Sequence, residues 1–303
     1  GNLAFTLPLG EKVRVKEVIE TCGGGASNSA VGLARLGCNA CFEGVIGSDQ
    51  WGQRLLENMR NEGVDTRDAT VVEGEVSSFS IILSASSGER VILYEPGTNA
   101  HLHKANFDRD TAKHMDWVYL NHIQEGSSMI QDEIVEILAN EDAPRFTWNP
   151  GGHQIDVGIE SDMNLRLLTS TDFLLLNRDE SLRFARAGSV EEAMQKLLKT
   201  GVQSIVVTDG KNGADATDGE KRYHCPVAAL GPIVDTTGAG DAFGTGMTWA
   251  LLRGKDFSTA LKAGTLNAAS VVGAIGAEKG LLTEIQMQEL LDRTDLAIEA
   301  TPL

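Results

Sequence analysis

The chain alternates between helical and strand-like patterns along most of its 303 residues, and this alternation limits the folds that it can adopt. The apolar run at 27–36 has helical spacing, 40–46 has the composition of a strand, and 51–62 is helical again. The segment 172–176 is continuously apolar, which is typical of a strand buried on both faces. Strands that alternate with helices predict a parallel sheet covered by helices. We therefore predict an α/β fold with a doubly wound, mainly parallel sheet flanked by helices.

The same alternation continues toward the C-terminus. The capping box Ser189-Val190-Glu191-Glu192 predicts a helix that runs to Thr200, and a second box at Thr283 predicts the start of the last helix. Asp218-Gly219 between two short β-runs predicts a tight hairpin. The other strands are predicted at 117–120, 146–149 and 204–208, and the other helices at 128–140, 242–252 and 258–275.

The alternation breaks where two β-type runs, 78–84 and 90–94, follow each other. Ser86-Ser87-Gly88 between them predicts an antiparallel hairpin. Together with the β-like residues 12–20, the hairpin would form a small separate sheet. Such a sheet cannot bury itself, so we expect it to cover another surface as a lid. The predicted division is a small β lid at 3–21 and 69–98 and a main α/β domain at 22–68 and 99–303.

Charge and hydropathy narrow the classes of partner. The formal net charge of −17 argues against nucleic acid or an anionic membrane surface as the main partner. A phosphate ligand would therefore depend on local backbone amides and a metal ion. No apolar run approaches the roughly 18 to 20 residues of a membrane span, and the start of the chain has no signal-peptide pattern. We expect a cytoplasmic protein.

The cysteines and paired histidines do not indicate a metal site. Cys38-Asn39-Ala40-Cys41 has C-x-x-C spacing, but the chain has no second such pair to complete a zinc site. We expect Cys22, Cys225 and this pair to be buried, reduced and structural. His101-Leu102-His103 has no further ligand cluster near it in the sequence, and we expect no metal there either.

The stretch from Asp235 to Phe243, Asp-Thr-Thr-Gly-Ala-Gly-Asp-Ala-Phe, combines an anion-binding turn with a carboxylate. Its glycines let the backbone turn sharply, and the apolar run from Ala242 predicts a helix whose first amides are free to bind an anion. Asp241 would then be placed to accept a proton from an attacking group. This pattern suggests phosphoryl transfer. It is also typical of an ordinary glycine-rich turn with a capping aspartate, so both interpretations stay open at this point.

Several polar residues come directly after predicted strands, where open α/β sheets bind their ligands. Asn149, Asn177, Thr208 and Asp235 all have this position, and Glu180 follows Asn177 by three residues. Any one of them is typical of a loop or a helix cap. Their shared position favours a binding site.

These residues belong to motifs that, taken together, resemble the ribokinase-like sugar kinases, also called the PfkB carbohydrate kinases. Residues 177–180 match the family's N-x-x-E, and 208–213 match its T-x-G-x-x-G nucleotide loop. The motifs occur in the family's order and extend over nearly the whole chain. The two long signatures are Gly23-Gly24-Gly25-Ala26-Ser27-Asn28-Ser29-Ala30-Val31-Gly32-Leu33-Ala34-Arg35-Leu36-Gly37, continued at 44–52, and the stretch 235–243.

The resemblance implies an ATP- and Mg²⁺-dependent phosphotransferase. Asp241 would be the general base, and the amides of Gly238, Ala239 and Gly240 would stabilise charge on the transferred phosphoryl group. The resemblance also implies roles for residues that match the family by position. Asn177 and Glu180 would bind Mg²⁺, and Asp235 and Thr237 would bind a possible K⁺. The nucleotide would be bound by Thr208, Gly210, Gly213 and Asn177, with Asn267 near the adenine.

On the acceptor side, the resemblance implies that Gly24, Gly25 and Asn28 bind the sugar. An asparagine both donates to and accepts from hydroxyls, although Asn28 is also in the position of a helix N-cap. Relatives open with a strand and a sugar-binding aspartate upstream of this turn, and neither is found before Gly24 here; either the chain has been shortened or the protein lacks them. Relatives often dimerise by crossing their lids, so we expect a homodimer.

Alternatives to a sugar kinase remain. A nucleoside kinase would use the same base, but it favours an aromatic wall beside the ribose, and aromatic residues are only 5% of the chain. A sugar phosphate acceptor would need a cation near the Gly-Gly turn, where only Arg35 is close in sequence. The spacing Gly238-x-Gly240-x-x-x-Gly244 loosely resembles a dinucleotide fingerprint, which would make the protein an oxidoreductase, but no βαβ unit follows it. A non-catalytic sugar sensor would have no use for Asp241.

Overall fold

The computed structural model describes residue 6 and residues 9–84, 90–104, 108–123 and 128–303. Helices α1 to α11 span Gly25–Arg35, Gln50–Asn61, Arg109–Lys113, Ser128–Leu138, Gly152–Val157, Asp162–Thr169, Arg178–Phe184, Val190–Leu198, Ala239–Leu252, Phe257–Val271 and Glu284–Arg293. Strands β1 to β11 span Gly44–Gly47, Ala69–Val72, Phe79–Ser84, Arg90–Glu95, Trp117–Leu120, Arg145–Trp148, Phe173–Asn177, Ser204–Thr208, Ala214–Thr217, Lys221–Cys225 and Glu299–Pro302.

A seven-stranded sheet with the order β11-β10-β9-β8-β7-β6-β5 forms the centre of the molecule. Strands β5 to β8 pair in parallel, and β9 to β11 continue the sheet in antiparallel pairs. Four consecutive residues of β7, Phe173–Leu176, are buried because helices cover both faces of the sheet. The predicted α/β fold with a mainly parallel sheet is confirmed.

The parallel strands bring their carboxyl ends to one edge of the sheet. Asn177 ends β7 and lies in register with Thr208, which ends β8. Asn149 follows β6, and its side-chain amide donates to the carbonyl of Leu175 over 2.9 Å. Asn121 follows β5 at the same edge. Asn149, Asn177 and Thr208 therefore lie at the edge where α/β proteins bind ligands. The predicted strand before Asp235 is wrong: Ile233 and Val234 are exposed and belong to no strand, since no strand lies between β10 and α9.

Two smaller sheets lie apart from the central one. Strands β3 and β4 form the predicted antiparallel hairpin, while β1 and β2 pair in parallel. The predicted strand at 12–20 is wrong: these residues are exposed and have no strand structure, because no partner among the described residues pairs with them. The turn Ser86-Ser87-Gly88 and residues 3–5 of the predicted lid lie outside the described residues. The division into a lid and a main domain stays a prediction.

Helix α9 packs closely between α1 and α10. A side chain added at Gly32 of α1 would meet the hydroxyl of Thr245 at 2.9 Å, and one added at Gly246 would meet the carbonyl of Ala263, in α10, at 2.7 Å. Both glycines are therefore required by close approach of neighbouring elements. Phe243 and Met247 of α9 continue this contact into a buried apolar cluster against the sheet.

The four cysteines are free. Cys225 is buried as predicted, but the prediction is wrong for Cys22, Cys38 and Cys41, which are only partly buried. Burial and nearby carboxylates raise the pKa of Cys41 to about 12, so its thiol stays protonated and does not favour metal binding. Among the described residues, no group of three or more His, Cys, Asp and Glu side chains is arranged to hold a metal ion. The side chains of His101 and His103 lie outside the described part of the structure. None of the described helices combines the length and apolarity needed to cross a membrane.

Candidate active site

The N-terminus of α9 is the predicted anion cradle. Helix α9 begins at Ala239, three residues earlier than predicted, and Gly238 before it has a left-handed conformation with φ of 78°. A side chain at Gly238 would meet the Cβ of Ala277 at 2.5 Å, so the turn accepts only glycine. Gly238, as the N-cap residue, has no side chain to cap the helix, and the amide of Ala239 donates to the carbonyl of Thr236 over 3.4 Å. The start of a helix suits an anion, and binding of one by these amides stays a prediction.

Gly240 provides access to these amides. It is exposed, and a side chain built on it would meet no described atom within 4 Å. Its backbone conformation is one that other residues adopt readily, because its φ is not positive. Neither packing nor strain within the protein requires a glycine here. A ligand that approaches the backbone closely would require one.

Asp241, in the first turn of α9, contacts Asn28 from α1. The side-chain amide of Asn28 donates to Oδ2 of Asp241 over 2.7 Å. Burial raises the pKa of Asp241, while this hydrogen bond and the nearby imidazole of His122 lower it; the charge of Glu180 raises it further. A partly buried carboxylate with a raised pKa is suited to accept a proton.

Asn28 lies inside α1 and does not cap it. The helix begins at Gly25, and Gly24 is the N-cap residue with φ of 107°. The backbone amide of Asn28 donates to the carbonyl of Gly24 over 2.8 Å, which closes the first turn. The alternative interpretation of Asn28 as an N-cap is therefore wrong. The first turn of α1 instead orients this side chain toward Asp241.

Asn177 and Glu180 form a reciprocal cap at the start of α7. Oδ1 of Asn177 accepts from the amide of Glu180 over 2.9 Å, and Oε2 of Glu180 accepts from the amide of Asn177 over 2.8 Å. Burial raises the pKa of Glu180. This cap accounts for the N-x-x-E motif structurally and fixes the Glu180 carboxylate near Asp241. A carboxylate at this edge has the chemistry that Mg²⁺ prefers, so the residues fit the ion through water, and the metal role stays a prediction.

The nucleotide-loop motif follows β8. Thr208 ends the strand, residues Gly210–Asn212 form a short 3-10 turn, and Gly213 has φ of 86°. A side chain at Gly213 would meet the carbonyl of Cys225 at 2.2 Å, whereas one at Gly210 would meet no described atom within 4 Å. Gly213 is thus required by packing, and Gly210 borders open space. Their nucleotide contacts stay predictions.

Asn267 is fully buried between α9 and α10. Its amide donates to the carbonyl of Ala242 over 2.8 Å and to the hydroxyl of Thr245 over 3.1 Å, and its carbonyl accepts from the amide of Leu282 over 3.0 Å. Both ends of the side chain are used inside the protein. These hydrogen bonds connect Asn267 to α9 and to Leu282, and its predicted place near the adenine stays a prediction.

Asp235 joins the cradle to the loop behind it. Oδ1 of Asp235 accepts from the amide and the hydroxyl of Thr237 over 3.0 and 2.7 Å, and Oδ2 accepts from the amide of Gly276 over 3.0 Å. The contact brings residues 276 and 277 beneath Gly238. Binding of K⁺ by Asp235 and Thr237 stays a prediction.

Sequence reasoning missed a group of buried polar side chains beside Asp241. Oδ1 of Asn28 and both polar atoms of Asn121 have no hydrogen-bond partner among the described residues. The buried hydroxyls of Ser29 and Tyr119 interact with each other. Asn121 follows β5 just as Asn149 follows β6, so the strand-end rule could have found it. Burial of the other groups depends on how α1, α9 and β5 meet, which no local pattern reveals.

The whole-chain comparison decides the family. The model of the pfkB family of carbohydrate kinases matches residues 4–284. This chain belongs to that family. It is therefore a phosphotransferase, namely a sugar or nucleoside kinase.

Individual members of the pfkB family agree with this assignment. An uncharacterized sugar kinase of Archaeoglobus fulgidus is 30% identical over 256 residues, which cover 83% of this chain and 98% of that protein. Arabidopsis thaliana ribokinase complexed with ribose and ATP has a TM-score of 0.79 at 23% identity, covering 94% of this chain and 92% of that one. The nucleoside kinase of Methanocaldococcus jannaschii has a TM-score of 0.80 at 22% identity, covering 96% and 93%. These two structures support the fold.

Proposed function

We propose that this pfkB-family protein transfers the γ-phosphoryl group of ATP to a hydroxyl of a small sugar, with Asp241 as the general base. The observation that carries the proposal is the 2.7 Å contact between Asn28 and Asp241 at the open N-terminus of α9. This contact joins the turn assigned to the acceptor to the carboxylate assigned to proton transfer. Asp241 belongs to the first turn of α9, the same turn that carries the amides of Ala239 and Gly240.

The chemistry follows from this arrangement. Asn28 holds Oδ2 of Asp241, so we assign Oδ1 to the proton of the acceptor hydroxyl. The acceptor oxygen forms its bond to the γ-phosphorus as the bond to the bridging oxygen breaks and ADP leaves, and the hydroxyl proton goes to Asp241. The amides of Gly238, Ala239 and Gly240 would stabilise charge on the transferred group.

Burial supports Asp241 as the base. It raises the pKa of the carboxylate, and a higher pKa makes a stronger proton acceptor as long as the group is still ionised at the working pH. The hydrogen bond from Asn28 lowers this pKa in part and so favours the ionised form. Asn28 would therefore both orient the base and keep it charged.

The ATP side is assigned to the ends of β7 and β8. Thr208, Gly210 and Gly213 would border the nucleotide, and Glu180 with Asn177 would hold Mg²⁺ through water. When bound, Mg²⁺ would supply positive charge that offsets the negative charge of the ATP phosphates. This local charge matters because the net charge of the chain, −17, opposes an anionic ligand. The need for K⁺, the homodimer and the cytoplasmic location stay predictions.

A panel of neutral sugars and nucleosides, each with ATP and Mg²⁺, tests the proposal through ADP release. We expect release with at least one sugar that exceeds release with every nucleoside. A nucleoside as the preferred acceptor would favour the second candidate, a nucleoside kinase with the same base. No release with any compound above the rate with ATP alone would overturn the proposal and support a sugar sensor.

A further inference from the structure

Asn121 is a buried amide whose hydrogen bonds are missing. It is 6% exposed, and neither its Oδ1 nor its Nδ2 has a partner among the described residues. Leaving a buried polar group unpaired costs folding free energy, and native proteins leave few such groups. In Asn121, both the donor Nδ2 and the acceptor Oδ1 are buried and unpaired.

Other buried amides of the same chain are paired. The side-chain nitrogen of Asn164 donates to the carbonyls of Gln154 and Gly158, and Gln154 itself donates to the carbonyl of Ile123. Asn267 has partners at both ends. The fold therefore satisfies such groups elsewhere, whereas Asn121 lacks a partner at both ends and Asn28 lacks one at its Oδ1.

The unpaired atoms collect at the site. Apart from the indole nitrogens of Trp148 and Trp249, which are single donors in apolar clusters, the buried side-chain atoms without a partner among the described residues belong to Asn28 and Asn121 and to the neighbouring hydroxyls of Ser29 and Tyr119. Burial and the nearby charge of Asp241 raise the pKa of the Tyr119 phenol, and an interaction with Ser29 lowers it, so these two hydroxyls serve each other. The amides of Asn28 and Asn121 have no such partner for the atoms that remain.

Asn121 lies against the first turn of α1. A side chain built on Gly25 would meet the amide nitrogen of Asn121 at 3.0 Å. Asn28, three residues after Gly25, leaves the same turn and reaches Asp241. The amides of Asn121 and Asn28 therefore flank one turn of helix, with the base on the Asn28 side.

Arg35, among the described residues, is engaged away from this group of amides. Arg35, the residue that a sugar phosphate would need, directs its guanidinium to the Glu62 carboxylate over 2.6 Å and to the carbonyl of Glu278 over 2.7 Å. An unpaired amide offers one donor and one acceptor, which matches two neighbouring hydroxyl groups. The chemistry favours a neutral polyol over a phosphorylated one.

We propose that Asn121 is a specificity-determining residue that binds a pair of adjacent hydroxyls on the acceptor, next to the hydroxyl that Asp241 deprotonates. Oδ1 accepts from one hydroxyl and Nδ2 donates to the other. This inference rests on the proposed function, because it names the acceptor chemistry of the same site.

The test uses Asn121→Ala with the best neutral sugar of the panel and its monodeoxy analogues. Loss of two hydrogen bonds should raise the acceptor KM on the order of 10-fold to 100-fold, with the KM for ATP within about 2-fold. Wild type should lose a similar factor on the deoxy analogue that lacks a bound hydroxyl. Asn121→Ala should no longer distinguish that analogue from the parent sugar, since the partner of the missing hydroxyl is gone.

Two further variants distinguish the loss of a sugar contact from a general loss of folding stability. Asn121→Asp preserves the shape and the acceptor but removes the donor, so it should lose discrimination at one of the two hydroxyls only. Asn164→Ala, at a paired buried amide, should lower Tm while leaving discrimination intact. Equal discrimination by wild type and by both Asn121 variants would overturn the inference.

Calorimetric binding of the same sugars separates this inference from the proposed function. Turnover by wild type with unchanged discrimination in Asn121→Ala would leave the proposed function standing and reject the role of Asn121. Sugar binding without turnover would reject the proposed function, and the deoxy comparison by binding would still decide Asn121. A wild-type protein that neither binds nor phosphorylates any polyol would overturn both.

Discussion

The hydroxyl of Ser27 donates to Oε1 of Glu278 over 3.0 Å, which connects the acceptor helix α1 to the loop behind the anion cradle. Glu278 is 7% exposed, and its Oε2 accepts from the side chain of Asn58 in α2 over 2.7 Å. Burial raises the pKa of Glu278, and these donors lower it. Ala277, next to it, packs beneath Gly238. One buried carboxylate thus holds three elements in fixed relation around the site.

Replacing Glu278 with alanine should destabilise the fold. The change leaves the donors of Ser27 and Asn58 unpaired and opens a cavity, so we expect the free energy of unfolding to fall by about 2 to 4 kcal/mol. Glu278→Gln keeps the shape and one acceptor, and should lose about 1 kcal/mol. Urea unfolding measures both, with exposed Glu289→Ala as the control. Equal stability of all three variants would contradict the connection.

Asp241→Asn should remove the base without disturbing its surroundings. The asparagine carbonyl still accepts from Asn28, so Tm and the Kd for ATP should change little. Turnover should fall by a factor on the order of 10² to 10⁴, the usual contribution of a positioned base. Asp162→Asn, at another acidic first-turn position, is the matched control and should keep full activity. Undiminished turnover in Asp241→Asn would rule out the assigned role.

Gly240→Ala should lower activity without lowering stability. The added methyl meets no described atom within 4 Å, and alanine favours a helix over glycine by up to about 1 kcal/mol, so Tm should stay or rise. The same methyl would hinder a phosphate from reaching the cradle amides, and kcat should fall on the order of 10-fold or more. Gly152→Ala, also in open space at the start of a helix, should match its stability and keep activity. An active Gly240→Ala enzyme would mean that the phosphate does not approach here.

Glu43 should make stability depend on pH. Burial raises the pKa of this carboxyl from 4.5 to about 7, with neighbouring acids adding to the effect. The folded state therefore binds the proton more tightly than the unfolded state. The contribution of protonated Glu43 to the free energy of unfolding is complete below about pH 4.5 and is lost as the pH rises through 7. Glu43→Gln should remove this loss. Urea midpoints between pH 4 and 8 should decline less in the variant than in wild type, and parallel curves would show that Glu43 keeps an ordinary pKa.

Local pattern was enough to predict most of the central fold. Strands β5 and β8 lie at the predicted residues because short apolar runs bounded by turns encode a buried strand locally. The box at Thr283 forms as predicted. The start of α9 was placed too late, because its first residues are small and polar and carry no helical periodicity.

Other elements depend on distant partners. The β-like residues 12–20 form no strand, although their spacing suits one, since strand structure requires a pairing edge. The pairing of β11 with β10 joins residues far apart in sequence and leaves no local signal. Short helices α5 and α6 were also missed, because each covers only about two turns.

The residues of the site also fall into two groups, those that a local motif predicts and those that depend on the assembled fold. Motifs predicted Asp241, Asn28 and Glu180, which the fold brings together. They did not predict Glu278 or Asn121, whose importance comes from burial, and burial is a property of the assembled fold. Asn267 was assigned to a ligand by its motif position, yet its amide is used entirely within the protein.

The glycine contacts of α9 have a consequence for motion. With backbone against side chain at Gly32 and backbone against backbone at Gly246, the helix that carries Asp241 has no room to tilt or slide between its neighbours. Any opening and closing around a substrate would then be carried by another part of the chain. The hairpin of β3 and β4 is suited to this, because both of its faces remain largely exposed and few contacts would be lost in a swing. We expect hydrogen exchange to be slowest in α9, which carries Asp241, and fast in the hairpin of β3 and β4.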